Sequence, residues 1–276
     1  MSAHDSTSTS LPARSRTSGR GVSSTATTLV LQVLILGAFV GLWQLAHAAE
    51  IGRPVVVQSP ANVWHAMGQL IDDGTLWPNF WATLQPTLIA LAAAVVVGTP
   101  IGLLLGILPR VDRVVGPFLS AINAMPRIAL APVFVIVFGI GISAKIALAL
   151  SLAIFIMVAS AQAGVNAADV ESRRMMATLN ATRAQTLRKV VLPAAVPSIV
   201  SGVRLCLIYS LLGVVASELI AARDGLGQLI SSSAGVFDMA TVYAVLVVLM
   251  VAAAVFNVLS SLVERRLLRW QAPTVR

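Results

Sequence analysis

Between residues 28 and 263 the chain returns six times to a stretch of about twenty residues nearly free of charge, the length an α-helix needs to cross a bilayer. These stretches are 28–46, 87–108, 114–138, 144–164, 196–222 and 240–263. The second has a charge-free approach from Phe80, and the third is interrupted at Pro126-Arg127. Lipid offers no hydrogen bonds, so every backbone amide must be satisfied within its own helix. The expected fold is therefore an all-α integral membrane bundle with six transmembrane helices. Composition agrees, at 57% hydrophobic and 11% charged residues, against roughly one quarter charged in soluble domains. Disorder, a nucleic-acid-binding domain and an ordinary cytosolic enzyme are all excluded.

The net charge of +8 is accounted for by orientation. With the N-terminus inside, the inner segments hold fourteen basic residues: Arg14, Arg16, Arg20, Arg110, Arg113, Arg173, Arg174, Arg183, Arg188, Lys189, Arg265, Arg266, Arg269 and Arg276. The outer segments hold three, Arg53, Lys145 and Arg223, while Arg127 and Arg204 lie within spans. That asymmetry predicts both termini inside. The chain divides into a flexible basic tail (1–27), a first transmembrane helix (28–47) and an outer segment with an amphipathic helix (48–79). A membrane core (80–264) follows, with a cytoplasmic loop at 165–195 and a second basic tail at 265–276. Ala46-His47-Ala48 mimics a signal-peptide cleavage site, but the apolar stretch before it is long and favours a retained anchor.

Sites of soluble chemistry are missing from the pattern. One cysteine, Cys206, excludes an intramolecular disulfide framework, and His4, His47 and His65 form no ligand pair. There is no phosphate-cradling G-x-x-x-x-G-K-[ST] run. No catalytic residue and no metal site are expected.

Several local features do carry information. Ser59-Pro60 is a helix start, with Val63, Trp64, Met67, Leu70 and Ile71 as an apolar stripe and Gly74 as the stop. Such a helix either docks an outer partner or parks Trp64 and Trp77 at headgroup level. Gly98, Gly102 and Gly106 recur every fourth residue and permit close helix approach, next to a bend-inducing Pro100. Asn123, Met125, Pro126, Arg127 and Pro132 make a broken stretch that must face protein or water, as a gate or as a packed kink. Arg204 and Glu218 are ionisable groups within the fifth span, roughly 21 Å apart along one helix and unable to pair there. Arg204 either lines a path or snorkels to headgroups. Glu218 lies near the outer end, within expected reach of solvent. Tyr209 and Ser210 between them are weaker path candidates.

The loop between the fourth and fifth spans is longer than a helix connection needs. Two short helices fit: one over about 169–179 stopping at Asn180, and one starting at Thr182 with Gln185 completing a capping box. Pro193 and Pro197 are expected to break the chain before the fifth span. Met175, Met176 and Leu179 form an adaptable apolar face bordered by Arg173, Arg174, Arg183 and Arg188. The hairpin is either a docking element or an interfacial helix on anionic lipid.

This loop resembles the cytoplasmic E-A-A-x-x-x-G-x9-I-x-L-P signature of permease subunits of bacterial ATP-binding-cassette (ABC) importers. Aligned on Leu192-Pro193, the Ile falls on Val190, the Gly on Asn180 and E-A-A on Arg174-Met175-Met176. The acidic and Gly positions depart from the pattern, while the spacing and Leu-Pro match. Ser59-Pro60-Ala61-Asn62-Val63, Asn123-Ala124-Met125-Pro126, Phe138-Gly139-Ile140-Gly141, and Glu218 followed by Gly225-Leu226-Gly227-Gln228-Leu229-Ile230 also resemble the nitrate/sulfonate/taurine branch of these permeases.

The resemblance implies a multi-pass permease of the bacterial inner membrane that homodimerises around the pore. Its partners would be a second copy of itself, two cytosolic ABC ATPase subunits and an extracytoplasmic substrate-binding protein, with the lipid bilayer as surroundings and no nucleic acid. ATP and Mg would be bound by the ATPase, with no cofactor in this chain. It implies that the hairpin (Arg173, Arg174, Met175, Met176, Ala177, Leu179, Asn180, Thr182) is a coupling helix seated in a groove of the ATPase. Asn123, Met125, Pro126, Arg127, Arg204, Tyr209, Ser210 and Glu218 are the candidate path or gate residues. The solute is expected to be small and anionic. An ion-coupled secondary carrier and a non-transporting scaffold are the alternatives. The first should show midplane acids and inverted repeats, and neither is evident.

Overall fold

The computed structural model describes residues 23–50 and 56–269, which form two units, one ending at Ile51 and one starting at Gly52. The expectations for residues 1–22 and 270–276, including most of the basic tails, and for Arg53 lie outside the described residues. The first unit is one helix, α1 (Ser23–Ala48), of which Thr27–Ala48 is long and apolar enough to cross a membrane.

The regular secondary structure among the described residues of the second unit is all helical. It starts with α2 (Pro60–Asp72), capped by Ser59 Oγ, which accepts from the Asn62 N–H at 3.1 Å. The chain turns at Gly74 (φ +68°) into α3 (Leu76–Ile107). Next come α4 (Pro109–Ala124), a 3-10 turn at Arg127–Leu130 and α5 (Ala131–Phe138). Then follow α6 (Ile142–Asn166), α7 (Val170–Thr178), α8 (Arg183–Thr186), a π-helical turn at Leu187–Val191 and α9 (Leu192–Ile220). The unit closes with α10 (Leu226–Gly235) and α11 (Met239–Leu267).

α6 lies at the centre, packed along its length against α3 and α9, which also touch each other. The core between them is built of small residues: Ala90, Ala94, Ala149, Ala153, Ala161 and Ala195 are fully buried. Small side chains let membrane helices approach closely where lipid supplies no hydrophobic drive. Gly98 and Gly106 of α3 show the result, since a Cβ added there would lie 2.8 Å from Met157 Cβ and 2.6 Å from Val165 Cβ. At Gly102 an added Cβ would strike the Val158 carbonyl. On the outside, α11 packs on α2, α9 and α10.

Five helices meet the length and apolarity of a membrane span, and a sixth crossing arises if α4 and the segment Arg127–Phe138, bent by 77°, count as one. The expected third span at 114–138 is thus two helices set at a steep angle. The peptide after Met125 is extended (ψ 135°) ahead of Pro126, whose ring disfavours a helical residue before it. The second span begins at Leu76, earlier than the expected residue 87, because α3 runs straight through Pro86. Proline leaves the carbonyl four residues back unpaired, and here the Ala82 carbonyl is taken by Lys145 Nζ at 3.3 Å.

The expected break before the fifth span does not occur. Helix continues from Arg183 to Ile220, because a π-helical turn at Leu187–Val191 shifts the register and Leu192 N–H donates to the Leu187 carbonyl. The stripe expected on α2 is divided between the bundle and the surface. Val63, Ala66 and Leu70 are buried, whereas Trp64 and Ile71 are exposed.

Candidate functional site

Two ends of the central bundle carry polar structure, and α6 connects them. Lys145 starts this helix and Val165 nearly ends it, about 30 Å apart at 1.5 Å per residue, one hydrocarbon thickness.

At the Lys145 end lies a buried ion pair that sequence reasoning missed. Lys145 Nζ is 2.9 Å from Glu218 Oε1 and 2.8 Å from Asp224 Oδ1, and also donates to the Asp224 carbonyl at 2.9 Å. Lys145 is 2% and Glu218 1% exposed. The expectation that solvent reaches Glu218 is therefore corrected: three helices and the α9–α10 turn cover it. The carboxylate also accepts from Thr83 Oγ1 (2.9 Å) and from the Gly227 N–H (2.9 Å). The Leu226 N–H donates to Thr83 Oγ1, and the Gly225 N–H to Asn79 Oδ1, both at 2.8 Å. The first amides of α10 thus point at oxygens of α3 and α9, where the helix dipole favours an anion.

The spacing of Gly225-Leu226-Gly227 behind Glu218 now has a cause. Gly225 has φ +111°, and a Cβ there would collide with the Glu218 carboxylate. At Gly227 a Cβ would sit 2.7 Å from both Glu218 Cβ and the Val215 carbonyl. The signal available in the sequence was Glu218 itself, because a lone acid in a span demands a cation. Lys145, at the outer edge of the fourth span, reads from the sequence as one of the outer basic residues rather than as that cation.

Arg204 and Glu218 do not meet. Arg204 Nε donates to Asn257 Oδ1 at 2.7 Å, and its Nη1 lies 3.7 Å from Glu264, both on α11. Ser210 is fully buried, and its hydroxyl has no hydrogen-bond partner.

The bend between α4 and α5 is held by Arg127. Its Nη1 donates to the Ser151 carbonyl of α6 at 2.8 Å, its Nη2 to Asn123 Oδ1, and its Cζ lies 4.2 Å from the Phe155 ring centroid. A cleft of about 280 Å³ beside it is lined by Asn123, Met125, Arg127, Leu152, Ile156 and Tyr209. A second, of about 490 Å³, lies between α4 and α6, and Asn123 lines both. In the second cleft Gln162 Nε2 donates to Asp112 Oδ1 at 2.8 Å. Met125 and Pro126 are exposed on the bend itself.

At the other end of α6, α7 and α8 form the expected hairpin. Asp169 caps α7, accepting from the N–H groups of Glu171 and Ser172 and from the Ser172 hydroxyl. The Ser172 hydroxyl bond, then the backbone amides, hold its carboxyl below the usual carboxylate range. α7 ends in a Schellman motif at Asn180 (φ 53°): Ala181 N–H donates to the Met176 carbonyl and Asn180 N–H to the Ala177 carbonyl. Thr182 and Gln185 form the reciprocal capping box. Met175 and Leu179 are 63% and 65% exposed, and Arg174, Ala177 and Thr182 are also exposed. Met176 is half-buried, and Arg173 turns back so that Nη2 donates to the Val165 carbonyl at the end of α6.

The chain is similar to known proteins in sequence and in fold. The chain is 34% identical over 247 residues to the taurine transport system permease protein TauC of Escherichia coli (strain K12), covering 88% of this chain and 90% of that one. It is 26% identical over 239 residues to the putative aliphatic sulfonates transport permease protein SsuC of Bacillus subtilis (strain 168), covering 87% of each. In fold it resembles a chain of the inward-facing MetNI methionine ABC transporter, with a TM-score of 0.63 at 22% identity, covering 70% of this chain and 95% of that one. Residues 98–269, from the first glycine of the α3 stripe to the end of α11, match the model for binding-protein-dependent transport system inner membrane components. The chain belongs to that family, as a multi-pass inner-membrane permease of an ABC importer.

Proposed function

We propose that this permease imports a small anionic solute of the taurine or alkanesulfonate kind. It would receive the solute from an extracytoplasmic binding protein and work as a homodimer driven by two cytosolic ATPases that bind ATP and Mg. The names of its relatives support the substrate class. The observation that carries the coupling role is the hairpin. Met175 and Leu179 are large, apolar and 63% and 65% exposed on α7, a helix capped at both ends and separated from the α8–α9 helix only by the turn at Asn180. A rigid knob of this kind fits a groove on a protein partner.

Nucleotide-driven movement of α7 would pass into α9 through the unbroken α8–α9 helix, and into α6 through the Arg173 contact with the Val165 carbonyl. The bend at Met125-Pro126 would serve as the gate, opened by rigid-body motion. In this orientation the hairpin is cytoplasmic and the Lys145–Glu218 pair lies at the outer end. An ion-coupled carrier is disfavoured because Glu218, the acid within α9, already holds Lys145 as its counter-ion.

The test is Leu179→Asp in the reconstituted complex. Uptake is expected to fall at least about tenfold, as for loss of an interface anchor, with the ATPase failing to copurify or hydrolysing without transport. Wild-type uptake together with wild-type ATPase retention overturns the docking role.

A further inference from the structure

We infer that Arg127 and the cleft beside it form a transit subsite for the anionic head of the solute, within the permease itself. The inference rests on reading the chain as an anion importer and adds a place and a counter-charge to it.

The first observation is unmatched charge. Arg127 is 8% exposed, and a buried cation is costly without a counter-ion. Its acceptors are the Ser151 and Leu152 carbonyls and Asn123 Oδ1, all of them neutral. Among the described residues no carboxylate lies within 4.0 Å of it, whereas Lys145 has Glu218 and Asp224, and Arg204 has Glu264. The second observation is an idle donor. Arg127 Nε is buried and has no hydrogen-bond partner, although guanidinium presents five N–H groups suited to planar anions.

The third observation is room. The cleft of about 280 Å³ that Arg127 lines holds roughly nine waters at ~30 Å³ each, enough for a small organic anion. Asn123 and Tyr209 line it as well. Phe155 lies against the guanidinium at 4.2 Å, and the bonds to Ser151 and Asn123 fix its orientation. An entering sulfonate or carboxylate would supply the missing negative charge. Because Asn123 and Arg127 flank the α4–α5 bend, occupancy of the subsite would be sensed at the bend itself.

The test is equilibrium dialysis of radiolabelled ethanesulfonate against the purified permease–ATPase complex in nanodiscs, without binding protein, and with neutral ethyl methyl sulfone as competitor. Saturable ethanesulfonate binding that the sulfone does not displace is expected. Arg127→Gln should weaken it about tenfold or more, as for loss of a charge-assisted bond. Arg127→Lys should fall between the two, and Ile156→Trp, which fills the cleft without removing the guanidinium, should abolish binding. Displacement by the sulfone, wild-type affinity in Arg127→Gln, or wild-type affinity in Ile156→Trp each overturns the subsite. Should Arg127→Gln not assemble, the Ile156→Trp and sulfone measurements decide alone. ATP-driven sulfonate uptake that is unaffected by Arg127→Gln sinks the subsite and leaves the importer reading standing. If the wild-type complex with its binding protein takes up no anion on ATP addition, the importer reading fails, and dialysis still judges the subsite.

Discussion

Lys145 and Glu218 exclude water almost completely and satisfy one another through a network that includes Thr83, Asn79 and the amides of Gly225, Leu226 and Gly227. Removing one member of a buried pair leaves an uncompensated charge, at about 3–5 kcal/mol. Lys145→Met and Glu218→Gln are therefore expected to lower the thermal unfolding midpoint of the purified permease. The double variant Lys145→Met/Glu218→Met should recover much of that loss, because two apolar residues leave no charge to solvate. Single variants as stable as wild type in a thermal scan would show that the pair holds nothing. Alone in its span, Glu218 looks solvent-facing and free for a transport role; with Lys145 beside it, it reads as a latch. Reading the sequence helix by helix hid this partner, which is 73 residues away in the chain.

At the scale of the helices, the α3 stripe decides how closely α3 and α6 lie. Gly102 faces the backbone carbonyl of Val158, and backbone cannot rotate away as a side chain can. Overpacking of a tight core costs about 1–3 kcal/mol, so Gly102→Leu should separate α3 from α6 and reduce the yield of folded, monodisperse permease. Gly68→Leu on α2, where nothing lies within 4 Å of an added Cβ, is the matched control and should be near neutral. Equal yields from the two variants would remove the close-approach argument. Other element-scale features were legible beforehand: the Ser59 cap, the Asn180 stop and the Thr182–Gln185 box are each local and depend on four to six adjacent residues. The continuity of α9 through Pro193 was not legible, since a π turn is a compromise between proline and the packing around it.

For the whole molecule, the proposed orientation puts the two polar ends of α6 on opposite faces of the membrane. Cysteines at Leu179 on the hairpin and at Asp73 after α2 should label with an impermeant maleimide from opposite sides, Leu179→Cys from the cytoplasm and Asp73→Cys from outside. The native Cys206 is fully buried and gives little background. Labelling of both positions from one side would overturn the proposed orientation.

The sequence by itself determined that the chain is a helical membrane bundle, and that a capped hairpin with ends at Asn180 and Thr182–Gln185 interrupts it, because each of these follows from hydropathy and local backbone chemistry. Only the tertiary structure decided what the intramembrane charges do. Pairing across α3, α6, α9 and α10 neutralised Glu218 and left Arg127 with an unmatched charge, and which charges meet is set by how helices far apart in the chain pack together.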